Sequence, residues 1–350
     1  MPTKCELVVN SKRISARIGD TILQAALVAR VVIPHDCNTG QCETCRIRVY
    51  AGDVDDQGTR RGDTVLACQA TVTGEAVVEF DEVPLPSKCA ATVISVADLT
   101  PDIFAVKLRL DKALSYLPGQ YVKVSFAGYP ARDYSPTLPA DGSTDLQTLL
   151  FHIRREPDGA VSSNLGRRIS AGTRARIHGP FGNSFHRRGE GRIILVSSGT
   201  GFAPIWAIAR ASRFREPNRE MMIIAGTRHA HNLYMREEMA WLAGTGVERR
   251  ILTCSGTHCD PDVRHGRPTA HLPELNSSDT VFAAGAPAMV AAVEILAEAA
   301  GATCYADAFL PAEPSRPWRQ RLATLVRNQF RADAALTALK QPEHSQNGSV

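Results

Sequence analysis

Three cysteines fall within nine positions of the stretch HDCNTGQCETC, namely Cys37, Cys42 and Cys45, and a fourth, Cys68, follows after 22 residues. Thiolate sulfur is a soft metal ligand. Three thiolates on one tight loop can grip a compact group from one side, and one from a distant segment closes the coordination. The spacing C-x4-C-x2-C…C suits a 2Fe-2S iron–sulfur cluster. Structural zinc prefers two paired-cysteine knuckles, whereas Cys68 stands alone. The intervening Asn38, Thr39, Gly40 and Gln41 are small or turn-forming. They let backbone N–H groups turn toward the sulfurs and offset their negative charge.

Two further regions carry chemistry. In RDYSP, Arg132 and Tyr134 share one face of an extended strand and Ser135 points the other way. A cation beside an aromatic ring suits a ligand bearing both pyrophosphate and a flat ring. In DGAVSSNLG, a turn at Gly159 leads to Ser162 and Ser163 at a helix start, where N–H groups and hydroxyls suit an anion. The stretch SSGTGFAP, residues 197–204, follows a strand and opens a helix. Its Gly199 and Gly201 let backbone approach a phosphate. It lacks the G-x-G-x-x-G pattern, and each of these motifs alone is more often an ordinary turn or a decorated strand.

The elements that must position these residues change texture twice. CELVVN and ISARI read as a hairpin, GDTILQAALVAR as a helix, and RIRVYAG as the strand after the cysteine loop. Asp20 or Thr21 is the expected N-cap, and Ile22, Leu23, Ala26 and Leu27 the apolar face. After the proline-containing linker EVPLPSKCA come short β-rich runs (ATVISVADLT, IFAVKLRL, PGQYVKVSFA, LLFHIRREP, TRARIHGP), spaced as in a small barrel. From about residue 190, the apolar strands RIILVSS, MMIIAGT, RRILTCS and TVFAAGA alternate with helical stretches. That alternation predicts a parallel sheet covered on both faces. The expected division is 1–88, 89–188, 189–312 and a tail, 313–350. In the tail Trp318, Leu322, Val326 and Phe330 recur at helical spacing, with arginines mostly elsewhere. It reads as a basic helix, packed on its own domain or docking elsewhere, or as a disordered end.

Bulk properties narrow the class. With 44% apolar and 22% charged residues the chain is ordinary globular protein. A net charge of +4 on 350 residues, without interleaved basic and aromatic residues, gives no sign of nucleic acid. The N-terminal stretch lacks a signal-peptide pattern, and no run of about 18 apolar residues predicts a membrane span. Nine cysteines without a secretory signal point to a reducing, cytoplasmic setting. Cys5, Cys89, Cys254, Cys259 and Cys304 are expected as buried small hydrophobes.

Taken in order, the motifs resemble a plant-type 2Fe-2S ferredoxin followed by the two domains of the ferredoxin–NADP reductase superfamily. VLACQA, AGAPAMV and DAF before a proline resemble the reductase components of bacterial aromatic ring-hydroxylating dioxygenases, naphthalene-dioxygenase branch, over residues 1 to about 312. The resemblance implies an α+β ferredoxin (β-grasp) domain, an antiparallel β-barrel flavin domain and an α/β parallel-sheet nucleotide-binding domain. It implies that Tyr134 packs on the isoalloxazine of FAD, that Arg132 pairs with its pyrophosphate, and that Ser135 hydrogen-bonds the flavin and serves catalysis. Gly159, Val161 and Ser162 would cradle phosphate, and His152, Ile153 and Arg154 would flank the flavin. Gly199, Thr200, Gly201 and Pro204 match the pyridine-nucleotide loop, with Ser198 where a glycine is usual. Gly285 and Met289 lie in the second signature. There Ala284 replaces a cysteine that lies near the nicotinamide in many members, and Ala286 replaces a proline. Arg228, with Tyr234, is placed at the adenosine ribose; Phe309 is placed beside the isoalloxazine. NADH is the expected donor, and Arg228 also suits the 2′-phosphate of NADPH. Ser135 is followed by Pro-Thr, a departure from the family's usual pattern.

These parts make an electron relay. A nicotinamide delivers two electrons together and an iron–sulfur cluster accepts one at a time, so the flavin must lie between them. The expected acceptor is a Rieske-type ferredoxin or the terminal oxygenase, and the expected state a monomer. The alternatives are the reductase of a soluble diiron monooxygenase (phenol hydroxylase type) or of a deoxysugar dehydrase, and, from another class, a redox sensor whose cluster signals.

Overall fold

The computed structural model describes residues 3–141, 145–257 and 259–310; the expected tail, 313–350, lies outside them. The first sheet is built on a hairpin, β1 (Lys4–Val9) and β2 (Lys12–Arg17), turned by Asn10 and Ser11 at positive φ. Helix α1 (Ile22–Val28) follows, then β3 (Arg46–Asp55), β4 (Thr64–Leu66) and β5 (Thr71–Glu79). The sheet order is β2-β1-β5-β3-β4, with β1 parallel to β5. Thr21 caps α1 reciprocally: its Oγ1 accepts from Gln24 N at 3.1 Å, and Gln24 Oε1 accepts from Thr21 N at 3.1 Å. Such a box contributes about 1 kcal/mol. The helix buries Ile22, Leu23, Ala25 and Ala26. Leu27, expected on that face, is 43% exposed, because this short helix has by then rotated past the sheet.

The second sheet comprises β6 (Ser87–Thr100), β7 (Ile103–Leu110), β8 (Tyr121–Phe126), β9 (Arg132–Tyr134), β10 (Thr148–Arg154) and β11 (Arg174–Phe181). It is antiparallel, in the order β10-β7-β6-β11-β8-β9. Thr137, just past β9, bridges to Leu150 of β10, with Thr137 N donating to Leu150 O at 2.8 Å. The two edges of the sheet therefore curl toward each other around a core that includes Val106, Leu108, Val122, Val124 and Ile169.

The third sheet is fully parallel. Its chain order is β12 (Ile193–Ser198), α2 (Phe202–Arg215), β13 (Met221–Thr227), α3 (Arg236–Gly244), β14 (Arg249–Cys254), β15 (Arg264–His265), β16 (Thr280–Gly285), α4 (Pro287–Ala299) and β17 (Thr303–Ala308). Strands lie as β15-β14-β13-β12-β16-β17. Every residue of β13 is buried, as a strand covered on both faces requires. One apolar cluster involves α2 and α3, the other α4. Of the scattered cysteines, Cys89 and Cys254 are buried, while Cys5, Cys259 and Cys304 are half-buried.

The joints between these units differ in kind. Leu138, from the second unit, packs into the core of the third, and Trp206 of α2 donates Nε1–H to Leu138 O at 2.9 Å. The first unit keeps its own core, drawn only from residues 5 to 80. It meets the others through polar contacts. Tyr121 and Lys123 reach Asp36 at 3.0 and 2.9 Å, Gly182 N donates to Thr44 Oγ1 at 3.0 Å, Arg187 meets Asp81 at 2.7 Å, and Arg61 pairs with Glu294 of α4. Exposed ion pairs contribute roughly 0.2–1 kcal/mol each and weaken with salt.

Trp206 is fully buried and stands edge-on to Trp241, with ring centroids 5.3 Å apart. Trp206→Ala is expected to cost about 3–5 kcal/mol, with Trp206→Phe costing less. Urea unfolding followed by far-UV circular dichroism reads this directly, and an unmoved midpoint would refute it.

Candidate redox sites

The loop between α1 and β3 holds three of the four clustered cysteines. Left-handed backbone at Asn38 (φ 55), Gly40 (φ 79) and Glu43 (φ 57) curls it tightly. The amides of Thr39 and Gln41 both point at Cys37 Sγ, at 3.4 Å. Cys68 lies just past β4, where Gln69 Nε2 donates to its sulfur at 3.4 Å. Cys45 and Cys68 are buried, Cys37 and Cys42 half-buried. The neighbouring Cys42 pulls the Cys37 thiol down, while Cys37 and burial push Cys42 up; likewise Cys45 pulls Cys68 down, while Cys68 and burial push Cys45 up. Among the described residues, no three His, Cys, Asp or Glu side chains converge on a point fit for a single metal ion. Two sulfur pairs, with backbone amides turned toward them, fit two iron atoms better than one zinc.

On β9, Arg132 and Tyr134 are half-buried on one face and Asp133 is exposed on the other. Tyr134 packs against Phe151 with centroids 6.0 Å apart, and burial pushes its phenol above the usual range. Ser135 is buried, with Oγ 3.5 Å from Asp307 Oδ2. On β10, the side chain of Ile153 is in the barrel core, so it can face a ligand only with backbone; His152 lies on the opposite face, and Arg154 pairs with Glu156 at 3.3 Å. His152 stands edge-on to Tyr234, with centroids 5.0 Å apart, and burial pushes its imidazole down to about 4. Tyr234, expected at the adenosine ribose, is thus packed between His152 and Phe202, where the second and third units meet.

The expected helix start at Ser162 is a single 3-10 turn, Ser162–Asn164. Ser163 gives its hydroxyl proton to Gly159 O at 2.7 Å, while Ser162 Oγ accepts from Glu156 N at 3.0 Å and keeps its proton to donate. Val161 is buried in the core. A Cβ at Gly159 would crowd Ser162 Oγ and Glu156, so the turn needs glycine.

At the carboxyl ends of β12 and β16 two loops interlock. Gly199 (φ 56) and Thr200 are half-buried, and Pro204 is buried in the first turn of α2. A Cβ at Gly201 would collide with the backbone of Ala284 and Gly285, and one at Gly285 (φ 121) with Ser198. Ser198 Oγ accepts the N–H of Ala286 at 2.8 Å. A proline at 286 would have no N–H to give. The two departures from the usual family loops therefore meet in one hydrogen bond. Met289 turns into the core at 8% exposure, and Ala284 is wholly buried. Arg228 is exposed just beyond β13, its carbonyl accepting from Cys254 Sγ at 3.4 Å. Phe309 follows β17, its amide held by Gly285 O at 2.8 Å.

The sequence reading missed Asp307. It is paired in register with Ala284 and faces Ser135 from 172 residues away. Though half-buried by surface area, its carboxyl is so closely surrounded that burial pushes it up to about 7; Ser135 works against that shift and Asp133 adds to it. In sequence it is the acid of the DAF that carries part of the family resemblance, but its pairing with Ser135 is not visible there.

Three known domain families match the chain. They are the 2Fe-2S iron-sulfur cluster binding domain over residues 7–73, the oxidoreductase FAD-binding domain over 90–186 and the oxidoreductase NAD-binding domain over 195–294. The chain is 32% identical over 331 residues to the ferredoxin--NAD(P)(+) reductase component of the naphthalene 1,2-dioxygenase/salicylate 5-hydroxylase systems of Ralstonia sp, covering 87% of this chain and 99% of that protein. It is 30% identical over 325 residues to the reductase component of the naphthalene 1,2-dioxygenase system of Pseudomonas putida, covering 86% and 97%. The crystal structure of the Amycolatopsis cytochrome P450 reductase GcoB superposes with a TM-score of 0.65 at 30% identity, covering 88% of this chain and all of that one.

Two predictions follow from the geometry. Ser198→Gly and Ala286→Pro should each weaken nucleotide binding, whereas the double variant should recover most of the loss. Titration with NAD+ across this double-mutant cycle measures the coupling, and simple additivity would count against it. Asp307 predicts a pH effect. Its folded-state value near 7 lies above the ordinary 3.8, so the stability it lends is full below about pH 4 and is lost as pH rises through 7. Asp307→Asn should flatten that decline in a series of urea midpoints from pH 4 to 8; identical profiles would sink the assignment.

Proposed function

The chain belongs to the ferredoxin–NAD(P) reductases that join a 2Fe-2S domain to FAD- and NAD-binding domains, and from that premise we propose that it is the reductase component of a multicomponent aromatic ring-hydroxylating dioxygenase. In this reading NADH, or alternatively NADPH, supplies electrons that leave for a Rieske-type ferredoxin or the terminal oxygenase. Nine cysteines free of disulfides fit a reducing cytoplasm.

One observation carries the order of the relay. The β9 segment touches both neighbours: Asp133 reaches the cysteine loop through Lys123 and Asp36, and Ser135 reaches the nucleotide unit through Asp307. FAD, when bound, takes a pair of electrons as hydride and gives them up singly. Plant-type clusters work near −400 mV, low enough to feed most Rieske centres.

The chain's own residues divide the remaining work. Arg132 neutralises pyrophosphate, Tyr134 covers the flat ring, and the Gly159–Ser162 turn offers phosphate its backbone and the free Ser162 proton. Arg154 and His152, on one face of β10, would flank the flavin, with Ile153 giving backbone alone. The neutral His152 adds no charge there. Gly199, Thr200 and Gly201 bring backbone to the nucleotide phosphates at the start of α2, Pro204 shapes that turn, and Gly285 fits the second loop against Ser198. Met289 supports this loop from the core, and Arg228 meets the adenosine end. Ser135 and Phe309 would stand beside the isoalloxazine where hydride is received, and Asp307 can hold a proton beside Ser135. Cys37, Cys42, Cys45 and Cys68 ligate the iron.

Anaerobic titration with NADH should bleach flavin and cluster absorption together. Cys42→Ser should abolish cluster-dependent output to a Rieske ferredoxin while sparing NADH-driven reduction of a small dye at the flavin. Equal loss of both would refute separate sites.

A further inference from the structure

A lysine outside every motif sits where the cysteine loop meets the flavin strand. Lys123 Nζ lies 2.9 Å from Asp36 Oδ2 and 3.4 Å from Asp133 Oδ1. Asp36 immediately precedes Cys37, and Asp133 stands between Arg132 and Tyr134. Lys123 is on β8, paired in register with Asp133. Its strand neighbours Val122 and Val124 are fully buried in the barrel core, so the pleat sends Lys123 outward, toward the loop. The Asp36 side chain is only 11% exposed and also accepts the Tyr121 hydroxyl at 3.0 Å. Burial alone would lower the Lys123 ammonium, yet Asp36 and Asp133 together hold it above its ordinary range. Among the described residues, Lys123 is the side chain with ion pairs to both segments.

We propose that Lys123 is the positioning residue that fixes the approach of the cysteine loop to the flavin strand, and so sets how fast electrons cross between the two sites. This rests on the relay described above. NADH gives up two electrons and one proton to become NAD+; the electrons pass singly to the cluster and the proton goes to solvent. Lys123 exchanges neither and acts through two carboxylates.

In Lys123→Met holoprotein, NADH-driven reduction of a small dye at the flavin should keep its wild-type rate. NADH-driven bleaching of the cluster band should slow about tenfold or more, at an unchanged cluster midpoint potential. Hydrogen exchange gives a readout independent of electron flow, because the Gly182 amide donates to Thr44 Oγ1 only when the loop is docked. Exchange at Gly182 and across residues 35–45 should rise in Lys123→Met, return to normal in Lys123→Arg, and rise in the wild type at about 1 M salt, where the Debye length is about 3 Å. Unchanged exchange in Lys123→Met overturns the proposal. So does a rate loss fully accounted for by a shifted midpoint potential. Should wild-type cluster bands fail to bleach with NADH, the relay reading falls instead, and exchange still decides whether Lys123 holds the loop.

Discussion

The Asp36 carboxylate takes the Tyr121 hydroxyl and the Lys123 ammonium at 3.0 and 2.9 Å, one residue away from the first cysteine of the cluster loop. This contact and the Gly182–Thr44 bond beside it tie the cluster loop to the flavin barrel, while Arg187–Asp81 and Arg61–Glu294 hold the first domain elsewhere. The first two come from the pleat of β8 and the turn after β11, which face the loop while their neighbours fill the barrel. Among the described residues, the first domain has a core cluster of its own, drawn from residues 5 to 80. Its position is therefore set by directional polar contacts rather than by buried area, and such contacts specify geometry more than they stabilise.

The joint between flavin and nucleotide domains follows different physics. Leu138 packs half-buried against the nucleotide core, Trp206 reaches back to its carbonyl, and Tyr234 stands edge-on to His152. Side-chain packing of this kind tolerates little displacement. The contrast matches the two transfers. Hydride passes only between atoms nearly in contact, so the surfaces on either side of that step must be held stiffly. A single electron makes no such demand for orbital contact, and a salt-sensitive polar joint suffices.

What could be read from the sequence was local. Cysteine spacing, the N-cap at Thr21, the glycine turns and the change from a two-residue to a helical apolar period all lie within short windows. What could not be read depends on residues far apart in sequence. Asp307 becomes unusual only because Ser135 and the surrounding atoms crowd it. Tyr234 follows a strand end, a position that suggests ligand contact, yet the neighbouring domain takes its face. Leu27 fits an apolar stripe by spacing, but α1 ends too soon to bury it. Lys123 has no motif at all, since its role is defined by two carboxylates on separate segments.

The nucleotide loops make the same point about departures from a family pattern. Read singly, Ser198 puts a side chain where glycine is usual, and Ala286 loosens a turn that a proline would stiffen. Each alone looks like a weakened site. In the fold they stand 88 residues apart in sequence and share one hydrogen bond. Losing the proline exposes an N–H, and gaining the serine supplies its acceptor, so the restraint lost from the backbone ring returns as a side-chain contact between the two loops. The buried methyl of Ala284 lies next to this junction, in register with Asp307. On the next strand Asp307 carries a carboxyl that can hold a proton near neutrality, 3.5 Å from Ser135. Two departures that look like separate losses are thus one local rearrangement, in which the loops are still tied together.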